Sequence, residues 1–338
     1  MNIRTLDDAG DLKGKVVLMR TDFDVPVGAD GIITEAFRIE RQRATLEELL
    51  KAGTHVVMAA HISAVPSFEP LLPQLQRILG VQILFCRDFD EKQSFLARGG
   101  TVALLENLRS NPGEEDNNEA FAGELVAGCD AYVNNAFAVC HREHASVASA
   151  PLIVPSFAGR LVADEIANLQ RVIEAPAAGK VVLMGGAKVD TKLPVINHLL
   201  DKAETIAVGG KIANEMRPPI DPRIHLPEDF AEERLDIGPR TAEAFSRLCA
   251  GAQLIVWNGP MGKFEDGRFL AGTKAVAEAV AASHAFSVIG GGDTIAAVAK
   301  VGIPLGRFGF VSTGGGAMLA FLAGAEMPGL RVLGYTTG

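Results

Sequence analysis

Cysteine is scarce in this chain of 338 residues: Cys86, Cys129, Cys140 and Cys249 are scattered, with no C-x-x-C pair among them. A small disulfide-stapled fold is excluded, and the four read as small buried hydrophobes in a reducing compartment, which the cytoplasm fits. Tryptophan occurs once and tyrosine twice, against 36 Gly, with 48% hydrophobic and 22% charged residues. That is the profile of a soluble, glycine-turned α/β protein and not of a disordered one. Positive charge is short as well: 32 Lys and Arg face 41 Asp and Glu for a net −9, of which −8 falls in residues 1–150. General nucleic-acid binding is disfavoured. The opening residues, MNIRTLDDAGDLKG, carry acids and no apolar segment, so no secretory signal is expected. The longest uncharged run, Phe308–Ala325, holds five glycines with Ser312 and Thr313, which suits a buried strand, loop and helix better than a membrane span. Neither G-x-x-x-x-G-K-[ST] nor G-x-G-x-x-G occurs, so no P-loop or dinucleotide fingerprint supports an assignment.

What is present is alternation. Short β-branched runs at 15–20, 54–60, 101–106, 180–184, 253–257 and 286–290 recur before helical patterns. Those patterns lie near 36–52, 114–127, 160–174, 190–200, 239–250, 270–282, 293–300 and 316–323. Continuous apolar strands alternating with amphipathic helices imply parallel sheets covered on both faces. At ~100–200 residues per domain, the length suits two doubly wound α/β domains. Pro151 and Pro155 resist regular structure and precede a helix-like run over 159–174, which places a boundary there and makes that helix a bridge. Four prolines between Met216 and Pro227 predict a loop.

Two glycine-rich segments, GGGDT (290–294) and STGGGA (312–317), each follow a strand-like run and open a helical one. Free backbone N–H groups and a positive helix end would then point at one place, where a phosphate could sit. Either segment alone could be a tight turn. Two together, one carrying an acid able to reach a magnesium ion, favour phosphate. GGAKVDTK (185–192) puts Lys188 and Lys192 four apart, on one face of a helix beginning there, which suits a polyanion. Cys140, His141 and His144 invite a metal reading, but a fourth ligand is lacking.

In order, RTDFDVPV (20–27), ENLRSNPGEE (106–115), HREHAS (141–146), GGAKVDTK, LDIGP (235–239), VWNGPMGKFE (256–265), GGGDT and STGGGA resemble the phosphoglycerate kinase family over nearly the whole chain. The resemblance implies two Rossmann-like doubly wound parallel-sheet domains joined by a hinge helix. The N-terminal domain, 1–158, would bind 3-phosphoglycerate; 159–174 would be the interdomain helix, 175–325 the domain for Mg-ADP or Mg-ATP, and 326–338 a segment returning to the N-terminal domain. It also implies reversible phosphoryl transfer between 1,3-bisphosphoglycerate and Mg-ADP in glycolysis, gluconeogenesis or carbon fixation, by a cytoplasmic monomer with no membrane or nucleic-acid partner. Carried over by motif, Arg20, Arg38, His61, Arg109 and Arg142 would meet the acid substrate's phosphate and carboxylate, with Asp22 at its hydroxyl and Asp24 beside it. Around the nucleotide phosphates and Mg2+ would stand Lys192, Asn258, Asp293, Thr294 and the glycines Gly291, Gly292, Gly314 and Gly315, with Asp293 on the metal. Lys188 and Arg38 would lie near the transferred group, and Pro260 and Glu265 would meet the ribose.

The chain departs from the family pattern at defined positions. Asp24 stands where DFN is usual, adding a negative charge beside an anion site. Ala64 replaces the arginine of HLGRP, and a lost charged hydrogen bond costs ~1.5–3 kcal/mol, roughly ten- to a hundredfold in binding. Lys211 and Lys263 replace apolar residues of the base pocket. The chain is also a few dozen residues short, and the missing helical part falls in or near 216–227. Those changes leave an alternative open: a kinase-like binding or regulatory protein, or a phosphotransferase with altered acceptor and nucleotide specificity.

Overall fold

In the computed structural model, which describes residues 3–336, the chain divides into two compact units: Met1–Ile166 together with Glu326–Gly338, and Ala167–Ala325. The helix Arg160–Glu174 runs through that division. Its apolar stripe of Val162, Ile166, Leu169 and Val172 is buried at helical spacing. The turn around Pro151 and Pro155 lies within the first unit, where it feeds the last strand of that unit's sheet.

The first unit is built on six strands: β1 (Val16–Arg20), β2 (His55–Ala59), β3 (Leu84–Cys86), β4 (Val102–Leu105), β5 (Ala131–Asn134) and β6 (Ser156–Ala158). All pair in parallel, in the order β3-β4-β2-β1-β5-β6. Successive residues of a strand face opposite sides of the sheet, and here both sides are dry. Val17, Met19, Val56 and Met58 pack on one face with Leu46, Leu49 and Leu75. Leu18, Val57 and Tyr132 pack on the other with Phe95, Phe121 and Leu125. That two-sided burial is why β1 and β2 read as continuous apolar runs.

The second unit repeats the plan with β7 (Lys180–Met184), β8 (Thr205–Val208), β9 (Ile224–His225), β10 (Leu254–Asn258), β11 (Phe286–Gly290) and β12 (Phe310–Ser312), again all parallel, in the order β12-β11-β10-β7-β8-β9. Trp257, Ile255, Leu183 and Ile289 form its core with Phe245, Val276 and Val298. The proline-rich stretch is a loop that contributes only the two-residue β9. Phe308–Ala325 resolves into a turn, β12, a glycine loop and the helix Gly315–Leu322. Among the described residues no helix is long and apolar enough to cross a membrane.

Both sheets carry a topological switch. In the first, the chain leaves β1 toward β2 and later returns to its other side at β5; in the second, β7 is flanked in the same way by β8 and β10. In open α/β sheets, ligands bind at the carboxyl ends of the strands beside that reversal.

Candidate functional site

At the carboxyl edge of the first sheet, β1 delivers Arg20 and then Asp22 and Asp24, the turn after β2 delivers His61, the turn after β4 delivers Arg109, and the loop after β5 delivers Arg142. The short helix Phe37–Glu40 adds Arg38. Arg20 is 1% exposed. Its Nε donates to Ser146 Oγ at 2.8 Å, Nη1 donates to the Thr21 carbonyl, and Nη2 lies 3.1 Å from His61 Nδ1. With Glu114 Oε1 at 3.9 Å as counter-ion, Arg20 sits beneath the surface and orients His61. Asp22 is also fully buried; its Oδ1 accepts the Asp24 N–H at 3.2 Å, while Oδ2 lies 3.7 Å from Arg38 Nε with no hydrogen bond among the described residues.

Asp24 accepts the Ser63 N–H at 2.8 Å and has His61 Nε2 at 3.5 Å, while Arg38 Nη1 donates to its backbone carbonyl at 2.8 Å. Burial would raise the Asp24 pKa, but the His61 contact and the Ser63 N–H outweigh it and hold the carboxyl well below its usual range. The extra charge is therefore braced, not bare. His61 is pushed down from 6.5, foremost by burial. Arg109 donates to Ser63 Oγ at 3.3 Å and lies 3.4 Å from Glu115, leaving its Nη2 buried with no hydrogen-bond partner among the described residues. Nδ1 of His141 and of His144 are buried without a hydrogen bond in the same sense, His144 Nδ1 lying 3.9 Å from Glu114 Oε1. Burial foremost, then Arg142, pushes the His141 pKa down to about 4. Arg142 itself is exposed.

In the sequence His141 and His144 stand out only as metal candidates, and nothing singles out Ser63, Ser146 or Glu114 as site residues. Ser63 carries no sequence signal; Ser146 and Glu114 lie inside quoted motifs. Among the described residues no group of three His, Cys, Asp or Glu could hold a metal.

In the second unit the loops after β7, β10, β11 and β12 lie at the carboxyl edge. The first two are stitched by Gly185 N–H to the Asn258 carbonyl at 2.9 Å and Gly186 N–H to the Pro260 carbonyl at 2.8 Å. Asn258 Nδ2 donates to the Gly290 carbonyl at 2.9 Å, and Thr294 Oγ1 accepts the Gly259 N–H at 2.7 Å. Asn258 and Thr294 are buried, so both act by tying loops together. Gly291 has φ 104, and a Cβ on Gly315 would lie 2.3 Å from its Cα, an approach only glycine permits. Helices begin just past these loops, at Val189, Gly292 and Gly315.

Lys192, 8% exposed on the helix Val189–Leu199, donates to the Gly185 carbonyl at 2.6 Å. Burial lowers its pKa to about 8 against an opposing pull from Asp293. Lys188 is exposed just before that helix, and Asp293 is exposed in the first turn of the helix Gly292–Lys300. A cavity of about 400 Å³ joins Gly186, Asp293, Pro260 and Glu265 to Lys211, Lys263 and Arg234. Lys300 Nζ, donating to the carbonyls of Phe264 and Glu265 at 2.9 and 2.8 Å, fixes the Glu265 end. Gly292 is exposed and Gly314 buried beside these residues.

Two doubly wound units, one with clustered arginines and the other with lysines and glycine loops, define an enzyme of the phosphotransferase class. Residues 6–218 and 222–325 match the family "Phosphoglycerate kinase". Similar proteins include the phosphoglycerate kinases of Leifsonia xyli subsp. xyli, 38% identical over 405 residues (99% of this chain, 100% of that one), and of Salinispora tropica, 38% over 397 residues (98% and 100%). Among solved structures, phosphoglycerate kinase from Pyrococcus horikoshii OT3 superimposes with a TM-score of 0.89 at 30% identity, and that from Coxiella burnetii with 0.79 at 30%; each comparison covers 98% of both chains. The chain belongs to the phosphoglycerate kinase family. Its alignments run well past its own 338 residues, so its relatives carry several dozen internal residues that it lacks.

Proposed function

We propose that the enzyme transfers a phosphoryl group reversibly between 1,3-bisphosphoglycerate and Mg-ADP, giving 3-phosphoglycerate and Mg-ATP, with the acid on the first unit and the nucleotide on the second. The observation that carries this reading is the set of buried polar atoms without a hydrogen bond on Arg109 and His141 beside exposed Arg142. Buried polar groups are normally satisfied, so this cluster suits a polyanion that completes it. His61, held by Arg20 and Asp24, Arg38, Arg109 and Arg142 bind the acid's phosphate and carboxylate, and Asp22 accepts its hydroxyl.

On the nucleotide side the glycine loops bring N–H groups to the phosphates, Lys192 binds them, and Lys188 and Arg38 neutralise the transferring group. Pro260 and Glu265 hold the ribose. Asp293 fits a magnesium ligand: it is an exposed carboxylate at the cavity, in the first turn of the helix Gly292–Lys300, the right donor for a hard cation held otherwise by phosphate oxygens and water. Bound there, Mg2+ would supply neutralisation of phosphate charge. No covalent nucleophile is required, because alignment and charge neutralisation supply most of what phosphoryl transfer needs. The thiols of Cys86, Cys129, Cys140 and Cys249 are free, which suits a reducing, cytoplasmic setting, and burial makes them poor nucleophiles by pushing their pKa values up to about 11 or 12. A monomer, measurable by sedimentation, completes the reading. The test is a coupled assay with 3-phosphoglycerate and Mg-ATP; absence of 3-phosphoglycerate-dependent ADP release would refute it.

A further inference from the structure

Arg38 is carried on a helix of only four residues, Phe37–Glu40. So short a segment makes too few hydrogen bonds of its own to fix its place, and its backbone has to be held from outside. The chain turns at Arg41 and Gln42 before the next helix, Arg43–Lys51. There the Gln42 N–H bonds to the Ile39 carbonyl at 3.0 Å, and not to the Arg38 carbonyl that a continued helix would give it. The Gln42 side chain takes over that bond: its Nε2 donates to the Arg38 carbonyl at 3.0 Å.

Gln42 is itself held from behind. Its Oε1 accepts from Asn135 Nδ2 at 2.8 Å, and Asn135 Oδ1 accepts from both Thr45 Oγ1 at 2.8 Å and the Leu161 N–H at 3.1 Å. Thr45 Oγ1 in turn accepts the Arg160 N–H at 2.9 Å. Arg160 and Leu161 open the helix Arg160–Glu174, and the first N–H groups of a helix have no acceptor within it. The Asn135 N–H donates to the Arg20 carbonyl at 2.9 Å, so this residue is pinned by main chain and side chain together. A Cβ on Gly159 would lie 2.2 Å from Asn135 Oδ1, an approach only glycine permits. Gln42, Thr45 and Asn135 are all 0% exposed.

The two ends of this series of bonds fix everything between them. One end is a backbone N–H, which only donates, and the other is a backbone carbonyl, which only accepts. Two amides link them in a single orientation, each with its oxygen toward the helix Arg160–Glu174 and its nitrogen toward Arg38. Turning either amide round would set like groups against each other with no water to compensate. The Arg38 guanidinium, by contrast, has one hydrogen bond among the described residues, from Nη1 to the Asp24 carbonyl at 2.8 Å, with Asp22 3.7 Å from Nε. Where it stands depends on where its backbone is held.

We propose that Gln42 is a positioning residue for phosphoryl transfer: backed by Asn135 and Thr45, it sets the backbone of Arg38 against the first turn of the helix Arg160–Glu174 and so aims the guanidinium. This role rests on Arg38 neutralising the transferring group in the proposed kinase reaction.

The test is steady-state kinetics of the full chain with 3-phosphoglycerate and Mg-ATP on the wild type, Gln42→Met, Arg38→Lys and the double variant. Methionine matches glutamine in length and makes neither bond, while lysine keeps the charge and loses the guanidinium that Gln42 aims. Gln42→Met should lower kcat about tenfold and leave KM for Mg-ATP within about twofold of the wild type, because the nucleotide site is untouched. In the Arg38→Lys background the same change should lower kcat by less than about twofold. An equal fall in both backgrounds, or no fall in either, would overturn the positioning role and leave the kinase reading standing. If Gln42→Met does not fold, Gln42→Asn, one methylene too short to reach both partners, should give the same pattern. A wild-type kcat in Arg38→Lys would overturn both the positioning role and the assignment of Arg38 to the transferring group. Absence of 3-phosphoglycerate-dependent ADP release from the wild type would overturn the kinase reading with them.

Discussion

Lys192 concentrates the physical chemistry of the nucleotide site in one side chain. Burial holds its pKa near 8, with Asp293 pulling it up and Lys188 pushing it down. Because the native pKa lies below the ordinary 10.5, the folded state binds fewer protons than the unfolded one between about pH 8 and 10.5. This group's stability penalty is therefore present at neutral pH and lifted as pH rises through that window. Function runs the other way, since a neutral amine cannot attract phosphate. The KM for nucleotide should climb above pH 8, approaching tenfold per pH unit, while kcat at saturation changes less because bound phosphate restores the proton. Lys192→Arg, with a guanidinium that stays charged, should flatten that climb; a wild-type KM constant from pH 7.5 to 9.5 would remove Lys192 from phosphate binding. Asp293 gives the complementary test. It is exposed, so Asp293→Ala should shift Tm by no more than about 2 °C while lowering Mg-dependent transfer by a factor on the order of a hundred or more. Wild-type activity in that variant would withdraw the magnesium assignment.

At the scale of elements, the loops carry the function and the strands merely deliver them. Gly259, with φ 94, would place a Cβ 2.2 Å from the Gly185 carbonyl oxygen, at the seam between β7 and β10. Gly259→Ala should force that seam apart, costing about 1–3 kcal/mol and weakening tripolyphosphate binding at least tenfold; calorimetry showing wild-type affinity would mean the seam is not part of the phosphate site. The same division explains what could be read from sequence. Strands buried on both faces, such as β1, β2 and β10, announce themselves as apolar runs, and the long helices beside them show helical spacing. The helix Leu72–Leu79 does not, because Pro70 and Pro73 look like breakers, although proline in a first helical turn is tolerated. The three-residue strands β3, β6 and β12 are too short to show a pattern. At the sites, glycine loops and arginines stand in quotable motifs. Ser63, which ties Asp24 to Arg109, is a product of tertiary placement, with no local periodicity or spacing to betray it.

Across the molecule, charge is distributed so that an anion must be held by a small cluster within a hostile field. Residues 1–150 carry −8 of the net −9, yet they contain Arg20, Arg38, Arg109 and Arg142. Arg20 is spent on Glu114 and His61, Asp22 and Asp24 lie within 4 Å of Arg38, and Arg109 lies 3.4 Å from Glu115, so of the four only exposed Arg142 has no acid within 4 Å among the described residues. Ala64, exposed in the turn after β2, contributes nothing where the family pattern has an arginine. The well is shallow, and 3-phosphoglycerate should bind weakly with strong salt dependence, because the surrounding acids repel it over a Debye length of ~10 Å at 0.1 M salt. Asp24→Asn keeps an oxygen for the Ser63 N–H while removing a charge, and Ala64→Arg adds a donor to the same rim. Each change is worth on the order of 1 kcal/mol or more, so the double variant should bind 3-phosphoglycerate more than tenfold tighter. Titrating wild type and double variant at about 0.05 and 0.5 M salt separates the contributions: long-range repulsion is screened at the higher salt, and the tightening that survives there belongs to direct contacts. If neither protein bound 3-phosphoglycerate at millimolar concentration, this acid would be the wrong acceptor, whatever the second unit does with nucleotide.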